Sequence, residues 1–236
     1  MAQFKVALYS DGAVLPDMVA MKEKGYVTGF TTNPSLMKAA GVTDYIGFAK
    51  EALAALPGMP ISFEVFADNL PDMEKEAVKI ASLGENVYVK IPIMTTDETS
   101  TLPLIKTLSA KGLKLNITAL MTEEQVAGAV EALAPGTDNL ISIFVGRIAD
   151  VGRDPIPLVK RTVELCKSKP GTKSLWASTR EFYNILQADE YGIDVITVPP
   201  TVLEKFKNFG RSSYDLSHDT VLAFKKDIDS LGLSIL

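Results

Sequence analysis

Cysteine and histidine are almost missing from this chain: its 236 residues include one of each, Cys166 and His218. A lone cysteine excludes an intrachain disulfide, which suits a reducing, cytoplasmic setting. A zinc site built from histidines and cysteines lacks its ligands. No acidic cluster suggests a magnesium site either, so neither a metal nor a cofactor is expected. Cys166 falls in the helical pattern LVKRTVELCKS and reads as a reduced core or boundary residue, while His218, in DLSHDTVLAF, reads as an exposed first-turn residue of the last helix. Excess positive charge is missing too. The net charge is −5, so no global basic field invites nucleic acid, and an anionic substrate needs a local cationic site. No apolar run approaches the roughly 18 residues that cross a bilayer. The N-terminal MAQFKVALYSDG lacks the charged-then-apolar pattern of a signal peptide. Neither a membrane nor a nucleic acid is an expected partner. There is no GxGxxG and no Walker-type sequence, which counts against an open doubly wound sheet.

What is present is an alternation. The chain is 47% hydrophobic and 22% charged, enough for a large core. Eight β-rich runs follow one another: FKVALYS (4–10), TGFTTN (28–33), ISFEVFA (61–67), NVYVKIP (86–92), LKLNITAL (113–120), NLISIFVGR (139–147), SLWAST (174–179) and DVITVPP (194–200). Helical patterns such as DMEKEAVKIASLG and TEEQVAGAVEAL lie between them, with apolar residues at three- and four-residue spacing. Eight such β-then-α units predict an α/β fold, a (β/α)8 TIM barrel. No linker or low-complexity tract divides the chain, so 1–236 reads as one domain. A further helix at about 215–230 ends in LGLSIL, an apolar tail suited to docking on a neighbouring subunit.

In a barrel of this kind, side chains at the C-terminal ends of the strands converge on one face. The first run leads to Asp11, and the second ends in TTNPS, with Asn33 and Ser35. The third carries Glu64 and the fourth Lys90. The fifth offers Asn116 and Thr118, two apart and so on one face. The sixth offers Ser142 and Arg147, and the seventh Ser178 and Arg180. Taken singly, each has an ordinary reading. Lys90 is a strand-end lysine whose long stem reaches water, Asn33 and Asp11 are turn residues, the hydroxyls bond to backbone, and Glu64 with Lys90 is a structural ion pair. Taken together, an Asp, a Glu, a Lys and two Asn at matching depth are costly inside a barrel that prefers branched apolar residues.

The set suits imine formation with a ketose. An amine held in a low-dielectric pocket sheds its proton more readily and attacks carbonyl carbon. Lys90 fits that role, and Asp11 fits the base beside the breaking carbon–carbon bond. Glu64 fits a proton shuttle through a water held by Thr118. Asn33, Asn116 and Ser142 suit the hydroxyls of the retained fragment. Arg147 and Arg180, helped by Ser178, suit a phosphate at the far end.

TTNPS, the lysine in VKIP, LNIT, ISIFVGRI and the ASTR of WASTR appear in that order along nearly the whole chain. In these motifs the chain resembles the transaldolase family, in its compact branch that also contains fructose-6-phosphate aldolases. The resemblance implies a barrel of class I aldolase type with Lys90 as the Schiff-base residue, and it implies the same roles for the other residues named. It also implies a discrimination: transaldolases of the branch carry glutamate and phenylalanine, here Glu64 and Phe144, where the aldolases carry glutamine and tyrosine. Phenylalanine cannot protonate an enamine, so both positions favour transfer. The expected reaction moves a dihydroxyacetone unit between sugar phosphates, within the pentose phosphate pathway. The alternatives are an aldolase that releases dihydroxyacetone, the same transfer on a sulfonated ketose, and a non-catalytic sugar-phosphate binder. The resemblance further suggests a homo-oligomer, a pentamer or decamer.

Overall fold

The computed structural model describes residues 4–232 and residue 235. It contains two compact units, Met1–Leu203 and Glu204–Leu236. The first is a closed barrel of eight parallel strands in chain order. They are β1 (Ala7–Asp11), β2 (Gly29–Thr31), β3 (Ile61–Glu64), β4 (Val87–Pro92), β5 (Leu115–Leu120), β6 (Asn139–Phe144), β7 (Thr172–Ala177) and β8 (Val195–Val198). β8 pairs back onto β1, with Tyr9 opposite Thr197. Closure leaves no strand edge to protect, and the (β/α)8 expectation holds.

Local chemistry starts the helices between the strands. Asn33 caps Pro34–Ala39 and Asn69 caps Leu70–Ala81, each accepting a backbone N–H with its side-chain oxygen. Thr122 and Gln125 form a reciprocal capping box at Glu123–Ala132. Residues that alternate outward from the strands, such as Phe30, Ile91, Ile117 and Trp176, are almost wholly buried, as strands covered by helices require.

Several boundaries differ from the expectation. The strand expected at 4–10 lies at Ala7–Asp11, which puts Asp11 inside the barrel rather than in a turn. The run expected at 139–147 stops at Phe144, and Val145–Asp150 is a helical turn and a half that carries Arg147. β8 ends at Val198 because Pro199 and Pro200 supply no backbone N–H for its ladder.

Below the strand ends the barrel is filled. Tyr9, Tyr88, Leu140, Leu175 and Val195 pack into one buried cluster. Tyr9 lies across Gly29: a Cβ there would come within 2.6 Å of the tyrosine ring. The Tyr88 hydroxyl donates to Asp138 at 2.5 Å. This apolar plug is the floor on which the polar site rests.

The second unit holds a short 3-10 segment, Glu204–Asn208, and the helix Ser213–Leu231. The helix begins two residues earlier than expected, so His218 stands in its second turn. Tyr214, Val221, Phe224, Ile228 and Leu231 recur at helical spacing along it and are all exposed. Of the apolar tail, Leu233, Ser234 and Leu236 lie outside the described residues. Among the described residues no helix is long and apolar enough to cross a membrane.

Candidate active site

A cavity of about 470 Å³ opens at the C-terminal ends of the strands. That is the size of pocket that takes a small polar metabolite. Its wall includes each residue singled out from the sequence: Asp11, Glu64, Lys90 and Thr118; Asn33, Ser35, Asn116 and Ser142; Phe144, Arg147, Ser178 and Arg180.

Strand register accounts for the centre. Glu64 of β3 stands opposite Lys90 of β4, which stands opposite Asn116 of β5. The Lys90 side chain is 8% exposed and Glu64 19%, and Nζ lies 3.0 Å from Glu64 Oε2. Nζ also donates to the Thr32 carbonyl oxygen at 2.8 Å. Burying such a pair contributes little stability compared with an apolar replacement, so its presence points to chemistry. Tyr45 steadies the strand end by donating its hydroxyl to the Glu64 carbonyl oxygen at 2.7 Å.

Asp11 sits across from this pair. Its carboxylate accepts from Thr31 Oγ1 at 2.9 Å, and Thr31 in turn shares a 2.5 Å hydroxyl contact with Thr197. Burial pushes the Asp11 carboxyl above the usual carboxylate range. The Lys90 charge and the Thr31 hydrogen bond pull it back, and Glu64 adds to the rise. A carboxylate raised in this way is a stronger base than one in water.

Asn116 and Ser142 are already engaged with each other. Ser142 Oγ donates to Asn116 Oδ1 at 2.6 Å, and Asn116 Nδ2 donates to Ser62 Oγ at 3.0 Å. This chain fixes the asparagine rotamer before any ligand arrives. Thr118 is the opposite case: its Oγ1 is buried and has no hydrogen-bond partner among the described residues. A buried hydroxyl without a partner is costly, and this one faces the cavity. Just beyond it β5 is irregular, with the register shifting between Ile117 and Leu120 and Ala119 at φ 63°. Bulges of this kind gather beside active sites and re-aim side chains. Asn33 has its oxygen committed to the Leu36 N–H at 3.0 Å, which leaves its amide N–H groups for the cavity. Ser35, the second residue of the helix that Asn33 caps, is exposed at the rim.

The far end carries the arginines. Arg147 lies with its guanidinium carbon 5.2 Å from the centre of the Phe144 ring. Arg180 is held by Asp150 through Nε and Nη2, the closest contact being 2.6 Å. Ser178 has φ 64°, and Gly146 makes that backbone possible. A Cβ on Gly146 would fall 1.8 Å from the Ser178 carbonyl oxygen.

Sequence reasoning passed over Thr31, Ser62, Thr197 and Asp150. Threonine in a strand is the default β-former and Ser62 is one more small strand hydroxyl, so the first three carried no distinguishing signal except an inward register. Cys166 is remote from this chemistry: burial pushes its thiol up to about 12, and a protonated thiol is a poor nucleophile. Among the described residues no group of three or more His, Cys, Asp or Glu side chains could hold a metal ion.

A closed parallel barrel with its polar cavity at the C-terminal mouth defines the class of (β/α)8-barrel enzymes. The comparisons with known proteins narrow that class. Residues 8–235 match the family described as transaldolase/fructose-6-phosphate aldolase, and the chain belongs to that family. A protein of Ruegeria sp. strain TM1040 named "Probable transaldolase" is 34% identical over 230 residues, covering 97% of this chain and 99% of its own. One of the same name from Methanococcus maripaludis strain C5 is 36% identical over 185 residues, covering 78% and 81%. Another, from Thermoanaerobacter sp. strain X514, is 32% identical over 228 residues, covering 96% and 99%.

Proposed function

We propose that the protein is a transaldolase. It moves a dihydroxyacetone unit from a ketose phosphate, fructose 6-phosphate in the first instance, to an aldose phosphate such as erythrose 4-phosphate. The observation that carries this reading is the buried Lys90 amine 3.0 Å from Glu64, in a cavity that Asp11 also lines.

Lys90 gives a proton to Glu64 and attacks the keto carbon of the donor. Glu64 works through a water bonded to the unpaired Thr118 hydroxyl and returns the proton to the carbinolamine oxygen. That oxygen leaves as water, and an iminium ion remains. Asp11 then takes the proton of the hydroxyl beside the adjacent carbon–carbon bond. The bond breaks, its electron pair neutralises the iminium, and an aldose phosphate departs. The enamine stays on Lys90. The acceptor aldehyde adds to it, Asp11 returns its proton to the new alkoxide, and hydrolysis frees the longer ketose. Asn33, Asn116 and Ser142 bind the hydroxyls of the retained three-carbon unit. Arg147, Arg180 and Ser178 take the phosphate. Phe144 supports transfer over release, because its ring offers the enamine no proton.

Borohydride reduction with donor present, followed by peptide mass analysis, tests the reading. A three-carbon adduct on Lys90 is the expected result. Lys90→Met is expected to lose turnover by roughly a thousandfold or more, as when a covalent nucleophile is removed. Absence of the adduct rejects the mechanism. Sustained dihydroxyacetone release without an acceptor would make the protein an aldolase instead. The exposed apolar stripe on the helix Ser213–Leu231 supports a homo-oligomer, a pentamer or decamer, in which a second copy of the chain covers that stripe. The single buried thiol suits a cytoplasmic enzyme of the pentose phosphate pathway.

A further inference from the structure

We infer that Asp150 is a positioning residue for substrate recognition: it grips Arg180 from the side and so aims the free edge of the guanidinium at the terminal anion of the donor. The inference rests on the transaldolase reading above and extends it to a residue that reading does not use.

An arginine has five N–H donors in a rigid fork. Asp150 takes those of Nε, shared between its two carboxylate oxygens at 3.1 Å each, and one of Nη2 at 2.6 Å. Among the described residues no acceptor engages Nη1. The side-on edge is therefore held by the protein, and the end-on edge is left for a tetrahedral oxyanion, the geometry guanidinium groups favour. Arg180 lines the cavity.

The local structure supports the same assignment. Asp150 is the last residue of the helical segment Val145–Asp150, one turn beyond Arg147. Arg180 lies just past β7, and its backbone N–H is fixed by Asn184 Oδ1 at 3.1 Å. The ion pair thus ties the segment after β6 to the segment after β7 at the point where both contribute an arginine. The Gly146–Ser178 close approach lies beside it. Without the pair, a half-exposed arginine would spread over many rotamers, and each binding event would have to order it. The carboxylate also offsets one of the two arginine charges, so the cavity offers an anion shape as well as charge. The Asp150 carboxyl is held below the usual range, first by its hydrogen bonds from Arg180 and further by the charges of both arginines. It therefore stays ionised throughout the neutral range.

The test is steady-state transfer by full-length wild type, Asp150→Ala and Asp150→Asn, with a phosphorylated ketose donor and with the same ketose lacking its phosphate. Borohydride trapping on Lys90 by dihydroxyacetone is run alongside. Asp150→Ala is expected to raise KM for the phosphorylated donor about tenfold. Its kcat, its kcat/KM for the unphosphorylated ketose and its trapping should be unchanged. Asp150→Asn keeps an acceptor for Nε and is expected to stay within about threefold of wild type. An equal loss on both donors would make Asp150 merely structural and overturn the inference. So would tighter binding of the phosphorylated donor by both variants, since the carboxylate would then act only by repulsion. If wild type itself traps nothing, the transaldolase reading falls and takes this inference with it. If wild type traps and turns over but Asp150→Ala matches it on the phosphorylated donor, this inference alone falls.

Discussion

Asp11 shows what burying one carboxylate does to stability. Its carboxyl is pushed above its ordinary value of 3.8, mainly by burial. The folded state therefore holds the Asp11 proton more tightly than the unfolded chain does. The sign follows from linkage: stability from this group is present below pH 3.8 and is lost as pH rises through the raised value. At neutral pH the ionised group destabilises the fold. Asp11→Asn is accordingly expected to abolish transfer while raising Tm at pH 7, with the gain shrinking as pH falls toward 4. Thermal unfolding across that range checks it, and a lower Tm at pH 7 would contradict it. Lys90 and Glu64 were legible in the sequence because each is a charge within an apolar strand. Thr31 and Asp150 were not. A strand threonine and a helix-end aspartate look the same whether they position a catalytic group or face water, and only the distances to Asp11 and Arg180 separate those cases.

At the scale of elements, the eight strands were legible because their apolar and β-branched runs are interrupted by Gly, Pro and polar helix starts. Their ends were less so. FVGR continues the apolar run of NLISI, and nothing in its composition marks where strand turns into helix. The close approach of Gly146 to the Ser178 carbonyl oxygen lies at that change, and it is a contact between residues 32 apart in the chain that no local pattern records. Gly146→Ala cannot be accommodated without moving Ser178 and Arg180. The substitution is expected to destabilise the fold by about 1–3 kcal/mol, as overpacking does. It should also raise KM for a phosphorylated donor more than for an unphosphorylated one. Denaturant titration with paired kinetics would show both effects, and wild-type values on both counts would remove the close approach from the account.

For the molecule as a whole, the number of β-then-α units predicted closure, and the barrel closes in chain order. The second unit was visible only as a helix, because nothing at Glu204 breaks the composition. Its exposed apolar stripe gives the oligomer a physical test. Sedimentation is expected to show wild type larger than one chain, and Phe224→Lys shifted toward the monomer, since a charge at the centre of an apolar contact is costly. A monomeric wild type would remove the oligomer from the reading.

The tyrosine floor under the cavity has one more consequence. Among the described residues, a barrel stoppered by Tyr9, Tyr88 and their neighbours is a blind alley whose cavity opens at the strand ends. In the proposed transfer, the aldehyde that leaves and the aldehyde that arrives would use that doorway in turn. Under the proposed mechanism catalysis is therefore obliged to alternate: the enzyme would wait, loaded and covalently modified, between one visitor's exit and the next one's entry.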